Sequence, residues 1–433
     1  MTKMIDSICR RLNGKRILIA GFGREGKSTL RFLQTFMPDA IVGIADKNES
    51  AFQDIDKERY KLHSGDDYLN AASDYDIVIK TPGISLKDVD IDLSLISSQT
   101  DLFLEAFHNQ VIGVTGTKGK STTSTLIYHL LKESGNDVIL AGNIGIPILD
   151  CVSDINERTI IVYELSAHQL QFINRSPHVG ILLNVFEEHL DHFGTFEKYK
   201  DAKINVLRYM SDGDFAVVNS DIYQSTVNSQ QSTVFCIDFE NYNFDDYNID
   251  WNEIPLLGEH NKRNVKAALC ACKSYGLSIE NLIPHLYTFK SLEHRQELVG
   301  VFNGVKFFND SISTIPQATI AALQTIKNVN FLLLGGFDRG IDYEPLVTYL
   351  KENTLPYILM TGQAGQTIKG KLQTAEYKGN ILEYTDMESA FVMIKELAKS
   401  GDVCLLSPAA ASYDRYKNFE ERGRIFKELA KKF

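Results

Sequence analysis

Two glycine-rich turns, each entered from an apolar run and left by a helical pattern, are where this sequence has the means to hold phosphate. The sharper one is Val111-Ile-Gly-Val-Thr-Gly-Thr-Lys-Gly-Lys-Ser-Thr122. A turn of this kind aims consecutive backbone N–H groups at an anion, sets it at the amino end of the helical pattern Ser124–Lys132, and adds the charge of Lys120. Gly116, Thr117, Lys118, Gly119, Lys120, Ser121 and Thr122 are the candidate phosphate-loop residues, and the Ser121 hydroxyl suits Mg²⁺. Val114 stands where the usual pattern has glycine, so the loop is a variant. The second turn, Gly21-Phe-Gly-Arg-Glu-Gly26, follows Arg16–Ala20 with dinucleotide spacing, and Asp46 ends the next run ~20 residues on. Gly21, Gly23, Gly26 and Asp46 read as a nucleotide or pyrophosphate cradle. A ligand-free strand-to-helix turn is the plain alternative for both.

Acids near strand ends supply the other chemistry. Glu164 follows the run Thr159–Tyr163, at the edge where ligands of parallel sheets gather, although an acid there also serves as a helix cap. His189 lies in Glu187-Glu-His-Leu-Asp191, a group that suits a metal or forms a solvated acidic turn. Lys203, in Tyr199-Lys-Asp-Ala-Lys203, is by its residue type one of many helix lysines.

The elements that must position these residues alternate short β-branched runs with longer helical patterns. Arg16–Ala20, Ile77–Ile79, Val111–Val114, Thr159–Tyr163, Val179–Leu183, Phe331–Leu334 and Val403–Leu406 are the clearest runs. This βαβ rhythm predicts an α/β fold with parallel sheets and helices on both faces. It opens at Lys15–Gly26, restarts at Val111–Ser121 and again near Glu297–Asn309, which divides the chain into 1–107, 108–292 and 293–433. Asn241–Glu253, rich in Asn, Asp and Tyr, reads as an irregular excursion.

Composition narrows the partners. A chain of 433 residues, 44% hydrophobic and 23% charged, falls in the globular range. Its net charge, 45 − 56 = −11, repels nucleic acid and anionic membrane, so local features must hold any phosphate. No run approaches the ~18 apolar residues of a membrane span, and the opening Met-Thr-Lys-Met-Ile-Asp lacks a signal-peptide stretch. The six scattered cysteines read as reduced thiols. A cytoplasmic monomer without nucleic-acid or membrane partners is the expectation.

Motifs in order along the chain resemble those of the Mur ligases. They are Thr115–Thr122, Gly142-Asn-Ile-Gly145, Glu164-Leu-Ser-Ala-His-Gln-Leu170, Asn184-Val-Phe-Glu-Glu-His-Leu-Asp191, and Gly258-Glu-His-Asn261 with Asn264. Glu293-His-Arg295, Asn309-Asp-Ser311, Ser407-Pro-Ala-Ala-Ala-Ser-Tyr-Asp414 and Lys417-Asn-Phe-Glu-Glu-Arg-Gly423 follow, so the likeness covers nearly the whole chain. The last block, with the N-terminal unit, is similar to the family's glutamate-adding member. The resemblance implies three domains: a Rossmann-like N-terminal domain for the UDP end of a nucleotide sugar, a central P-loop ATPase domain with a parallel sheet, and a Rossmann-like C-terminal domain that closes over the site. It implies ATP-dependent, ADP-forming ligation of glutamate to UDP-N-acetylmuramoyl-L-alanine through an acyl phosphate, in peptidoglycan precursor synthesis.

By the same resemblance Lys120, Glu164, His189 and Lys203 are catalytic, and Lys203 is carbamylated. Two Mg²⁺ ions are implied, held by Ser121, Glu164, His189 and the Lys203 carbamate. ATP would be held by Gly116–Thr122, with Asn264 and Asp310 on adenosine and Arg295 on phosphates. The UDP-sugar would meet Gly21, Gly23, Gly26, Asp46, Lys47, Thr81, Pro82, Gly83 and Asn143. Glutamate would meet Thr314, Arg339, Ser412, Tyr413 and Phe419.

The glutamate pocket departs from the commonest family pattern. Ile312-Ser-Thr-Ile-Pro316 lacks a lysine, Arg339 replaces the lysine of the Gly335-Gly336 loop, and Tyr413 stands where leucine is usual. D-glutamate is the first expectation and L-glutamate the alternative. A folylpolyglutamate synthase would lack the N-terminal unit, and a nicotinamide dehydrogenase would explain Gly21–Gly26 but leave the phosphate loop Gly116–Thr122 idle. A non-catalytic UDP-sugar-binding regulator would fit only if Lys120, Glu164 or His189 were lost, and all three are present.

Overall fold

The computed structural model describes residues 3–87, 89–144, 146–227, 234–256, 258–290 and 293–433, with the side chains of 191 and 224–227 left out. Gly145 of one motif, the Asp191 side chain of another, and the 292/293 boundary therefore lie outside the described residues. The chain packs as two units, one running to Ile254 and including Glu259–Phe289, the other Pro255–Gly258 with Lys290–Phe433.

The first unit holds two parallel sheets. One contains β1 (Arg16–Ala20), β2 (Ile41–Ala45), β3 (Lys61–His63), β4 (Ile77–Lys80) and β5 (Ile96–Ser97), ordered β3-β2-β1-β4-β5. β1 and β2 are buried after their first residue, as strands covered on both faces are, and β4 is buried at every position. The chain runs from β1 to β2 on one side and from β4 to β5 on the other, so a crevice opens between the carboxyl ends of β1 and β4. The other sheet contains β6 (Val111–Thr115), β7 (Val138–Gly142), β8 (Ile160–Glu164), β9 (Val179–Leu182), β10 (Phe215–Val218) and β11 (Phe235–Asp238), ordered β11-β10-β9-β6-β8-β7. Here β6 lies between β8 and β9, pairing Val114 with Glu164 and Thr115 with Leu182. That register brings the ends of three strands to one place.

One apolar core runs from Ile5 to Val218 and joins the two sheets. Tyr163 on β8 is buried there, its hydroxyl 2.9 Å from Thr100 Oγ1 and its ring edge-on to Phe103. A buried phenol needs such a partner.

The second unit has a sheet of β12 (Glu297–Phe302), β13 (Val305–Asn309), β14 (Val329–Gly335), β15 (Tyr357–Thr361), β16 (Asn380–Glu383) and β17 (Val403–Leu406), ordered β12-β13-β17-β14-β15-β16. Alternate β14 residues feed two cores, Leu332 and Leu334 one, Phe331 and Leu333 the other. All neighbours are parallel except β12, which pairs antiparallel with β13. The parallel rhythm expected near Glu297–Asn309 is thus replaced by a hairpin. Its reason is local: Asn303-Gly304 sits between paired Phe302 and Val305 with φ 49° and 82°, the turn that closes a two-residue hairpin. Among the described residues no helix is long and apolar enough to cross a membrane.

Candidate active site

The phosphate loop leaves β6 at Gly116 and enters the helix Lys120–Glu133 at Gly119. Gly119 has φ 90°, and a Cβ there would lie 2.4 Å from Asn264 Oδ1, so only glycine fits. As N-cap it offers no side-chain acceptor, which leaves the first helical amides open to an anion. Asn264 is held on this loop by its own helix, Glu259–Ser274, and donates to Asn261 Oδ1 at 3.0 Å.

A second strand end latches the loop. Thr117 N donates to Asn184 O at 3.0 Å, Lys118 N donates to Asn184 Oδ1 at 2.9 Å, and Asn184 Nδ2 returns a bond to Lys118 O at 3.0 Å. Thr117 Oγ1 accepts from Phe186 N at 2.9 Å and lies 3.1 Å from the Tyr199 hydroxyl. Lys120 Nζ folds back on the carbonyls of Gly116 and Thr117, at 2.9 and 3.1 Å. Ser121 is buried in the first turn beside Thr122.

Glu164 ends β8 fully buried. Its carboxylate accepts from Asn143 Nδ2 at 2.7 Å and from Ser124 Oγ, on the phosphate-loop helix, at 3.3 Å. Asn143, expected at the sugar, is therefore joined to the acid at the loop. Lys203, on the helix Phe196–Arg208, is 1% exposed and donates to the same Gly116 carbonyl as Lys120, at 2.8 Å. Burial and the Lys120 charge lower its pKa to about 6, so near neutral pH the amine is mostly unprotonated.

His189 has φ 58° and a side chain 48% exposed. It touches Glu188, with Nε2 3.8 Å from Oε2, and the rings of Tyr199 and His168. Glu188 is also paired with Lys118 at 2.9 Å, so this acidic turn is partly neutralised by the loop. His192 packs its ring 4.3 Å from that of His168. Burial, then the neighbouring His192, takes the His168 pKa down to about 3. Among the described residues no three His, Cys, Asp or Glu side chains gather as a metal cage.

At the β1/β4 crevice Gly21 has φ 91°, and a Cβ on it would reach 2.1 Å from Thr81 Oγ1. Gly26 packs so closely that its Cβ would lie 2.1 Å from Gly21 O. Gly23 is the N-cap of the helix Arg24–Phe36, again without a side-chain cap. Asp46 accepts from Phe22 N at 2.7 Å and so holds the turn itself. Pro82 and Gly83 form the turn closed by Ile84 N on Thr81 O, 3.2 Å. Lys47 is paired with Asp66 on the surface.

In the second unit Asp310 follows β13 and is buried, accepting from Ser407 Oγ at 2.7 Å and Gln296 N at 3.1 Å. Burial raises its pKa to about 6. Arg295 lies between His294 and Gln296, both at positive φ, and His294 is anchored by Asn309 Nδ2 2.8 Å from its Nδ1. Arg339 donates to Thr314 O at 2.9 Å. Ser412 is buried, Tyr413 exposed, and the Phe419 carbonyl accepts from Ser311 Oγ at 2.8 Å. Arg422 ties these segments together, donating to Ser311 Oγ, Ser311 O and Ala410 O at 3.0, 2.9 and 3.1 Å. Neither Arg422 nor Asn184 was singled out by residue type, although each stands inside a quoted motif.

A uncapped phosphate loop beside a buried acid and a buried, mostly neutral lysine, on parallel α/β sheets, defines the class: an enzyme that handles a nucleotide phosphate. Comparison narrows it. Residues 114–272 match the Mur ligase middle domain and residues 294–410 the Mur ligase, glutamate ligase domain. The UDP-N-acetylmuramoylalanine--D-glutamate ligase of Symbiobacterium thermophilum is 35% identical over 395 residues, covering 85% of this chain and 86% of that protein. The like-named protein of Geobacillus kaustophilus is 34% identical over 443 residues, covering 95% and 96%. In fold, the chain resembles the MurF ligase of Thermotoga maritima in complex with ADP (TM-score 0.57, 18% identity, 100% of both chains). It also resembles UDP-N-acetylmuramate-alanine ligase MurC of the same organism (TM-score 0.56, 18% identity, 96% and 99%). The chain belongs to the Mur ligase family.

Proposed function

We propose that this chain joins D-glutamate to UDP-N-acetylmuramoyl-L-alanine with ATP, releasing ADP and phosphate, in the peptidoglycan precursor synthesis that serves cell shape and division. The relatives named above support that substrate pair. The observation that carries the reading is the meeting of Lys120 and Lys203 on one carbonyl, Gly116 O, in a loop whose helix is bonded to Glu164 through Ser124.

Joining a carboxylate to an amine in water is uphill. Transfer of the γ-phosphoryl group to the substrate carboxylate makes the acyl carbon electrophilic and releases ADP. The glutamate amine attacks that carbon, loses its proton, and phosphate leaves. Gly116–Thr122 would hold the phosphates, Lys120 swinging from its own loop onto them, and Asn264 would sit at the adenosine side. Glu164 and Ser121 fit Mg²⁺, which takes few protein oxygens and the rest from phosphate and water. Bound there, it would offset charge on the transferring phosphoryl group. His189 and a carbamylated Lys203 would complete a second such site. The Lys203 amine, mostly unprotonated, can attack CO₂, forming an N–C bond and giving its proton to water.

In this reading Gly21, Gly23, Gly26, Asp46 and Thr81–Gly83 receive the UDP-sugar, and Asn143 reaches it from beside Glu164. Asp310 and Arg295 serve ATP; Thr314, Arg339, Ser412, Tyr413 and Phe419 serve glutamate. Domains at 1–107, 108–292 and 293–433 and a cytoplasmic monomer belong to the same proposal. The test is ADP release with UDP-N-acetylmuramoyl-L-alanine plus each glutamate enantiomer. D-glutamate should turn over and L-glutamate should not; rapid ADP release without the nucleotide sugar would overturn the ligase reading.

A further inference from the structure

Strand β4 reads Ile77-Val-Ile-Lys80, so a lysine closes a strand buried at every position, beside the crevice between β1 and β4. Lys80 is 3% exposed. Its ammonium has three donors and, among the described residues, makes one hydrogen bond, to Thr81 O at 3.2 Å. The Phe172 ring lies 5.7 Å away. Glu25 and His168 are the charged or titratable groups that face it. Glu25 is itself buried, with a raised pKa, and spends its carboxylate on the Gln169 amide at 2.8 Å. Burial lowers the Lys80 pKa to about 8, which leaves it a cation at neutral pH.

A desolvated cation without an ion pair is unfavourable, and a ligand that carries negative charge removes the penalty. Ligands of such sheets enter outside the carboxyl ends of the strands, where Gly21 and Thr81 already meet. We propose that Lys80 holds an anionic oxygen of the nucleotide sugar, from its pyrophosphate or its carboxylate. This rests on the nucleotide-sugar site proposed above.

Lys80→Met keeps the length and apolar stem and removes the charge; Lys80→Gln also removes the charge but keeps two N–H donors. Calorimetry would measure binding of UDP and of UDP-N-acetylmuramoyl-L-alanine, and melting would measure the ligand-free fold. Affinity for the full substrate should fall at least about tenfold in Lys80→Met and less in Lys80→Gln. The ligand-free melting temperature should stay level or rise, because an unmatched buried charge has gone. An equal loss for UDP assigns the pyrophosphate; an unchanged UDP affinity assigns the carboxylate. Unchanged affinity for the full substrate overturns the proposal while leaving the ligase reading intact. A variant that melts lower or fails to fold also overturns it, since the charge would then be matched within the protein. If the wild-type protein binds neither nucleotide, both readings fall.

Discussion

At Gly21–Gly26 and at Gly116–Thr122 the chain makes the same move. It leaves a buried parallel strand, turns through glycine at positive φ, and starts a helix whose first turn no side chain caps. Some other helices are capped by their own sequence, as Gln99–Phe107 is by Ser98 and Phe196–Arg208 by Thr195, while Pro316–Thr325 and Gly362–Thr374 are not, so it is the glycine turn out of a parallel strand that the two sites share. The two turns part at the cation. In the second, Lys120 belongs to the loop and Lys203 comes from a distant helix onto the same carbonyl. In the first, Gly21–Gly26 contains no lysine, and a buried cation beside it, Lys80, stands on the neighbouring strand. A turn that only binds can borrow charge from a neighbour. One that transfers a phosphoryl group needs charge able to follow it, which a flexible loop lysine supplies.

The largest effect should come from Lys203. Lys203→Ala should be nearly inactive, with short carboxylic acids restoring part of the activity by occupying the place of the carbamate. Full activity would place the reaction's charge elsewhere. The pH dependence has a definite sign. Native Lys203 releases its proton near pH 6, whereas an unfolded lysine keeps it to about 10.5. Between those values the unfolded chain binds the extra proton, so this group makes stability rise with pH across that window. Below about pH 6 the protonated amine cannot take up CO₂, and activity regained by CO₂-depleted enzyme on adding bicarbonate should fall there.

Much of this was legible before the structure, and the limits are instructive. The strand–glycine–helix grammar of both turns is local, and it located Gly21, Gly26, Gly116 and Gly119 correctly as elements of those turns. Lys203 is different: as a residue type it is an ordinary helix lysine, and only motif spacing picked it, because burial against Gly116 is a contact across 87 residues. Asn184 and Arg422 act through contacts of the same kind, Asn184 across 66 residues and Arg422 across 111. The β12–β13 hairpin, by contrast, had its signal in plain view in Asn303-Gly304.

The next effect belongs to the loop cation. Lys120→Ala should reduce turnover by at least ~10²-fold, as losing one preorganised electrostatic donor does. Binding of the nucleotide sugar should be unaffected, since the Lys120 ammonium lies on the Gly116 and Thr117 carbonyls of the phosphate loop. Equal losses in turnover and in sugar affinity would erase the division of labour between the turns.

The smallest and most discriminating change is Gly26→Ala. Its Cβ would lie 2.1 Å from Gly21 O and 3.4 Å from Ile19 Cγ2. The first neighbour is backbone, in a turn that Asp46 already pins through Phe22 N, so it cannot step aside as a side-chain tip would. Overpacking of this kind costs about 1–3 kcal/mol, and here the helix must back away from the strand end. That movement widens the crevice at Gly21 and Thr81 while leaving the ends of β6, β8 and β9 where they are. The KM for the nucleotide sugar should therefore rise several-fold, the melting temperature should drop by a few degrees, and the KM for ATP should stay within about twofold. Gly119→Ala is the matched control, because its Cβ would strike Asn264 Oδ1 at 2.4 Å at a φ of 90°. It should shift the KM for ATP instead. If both substitutions raise the same KM, the two turns serve one ligand, and the separation argued from their cations is wrong.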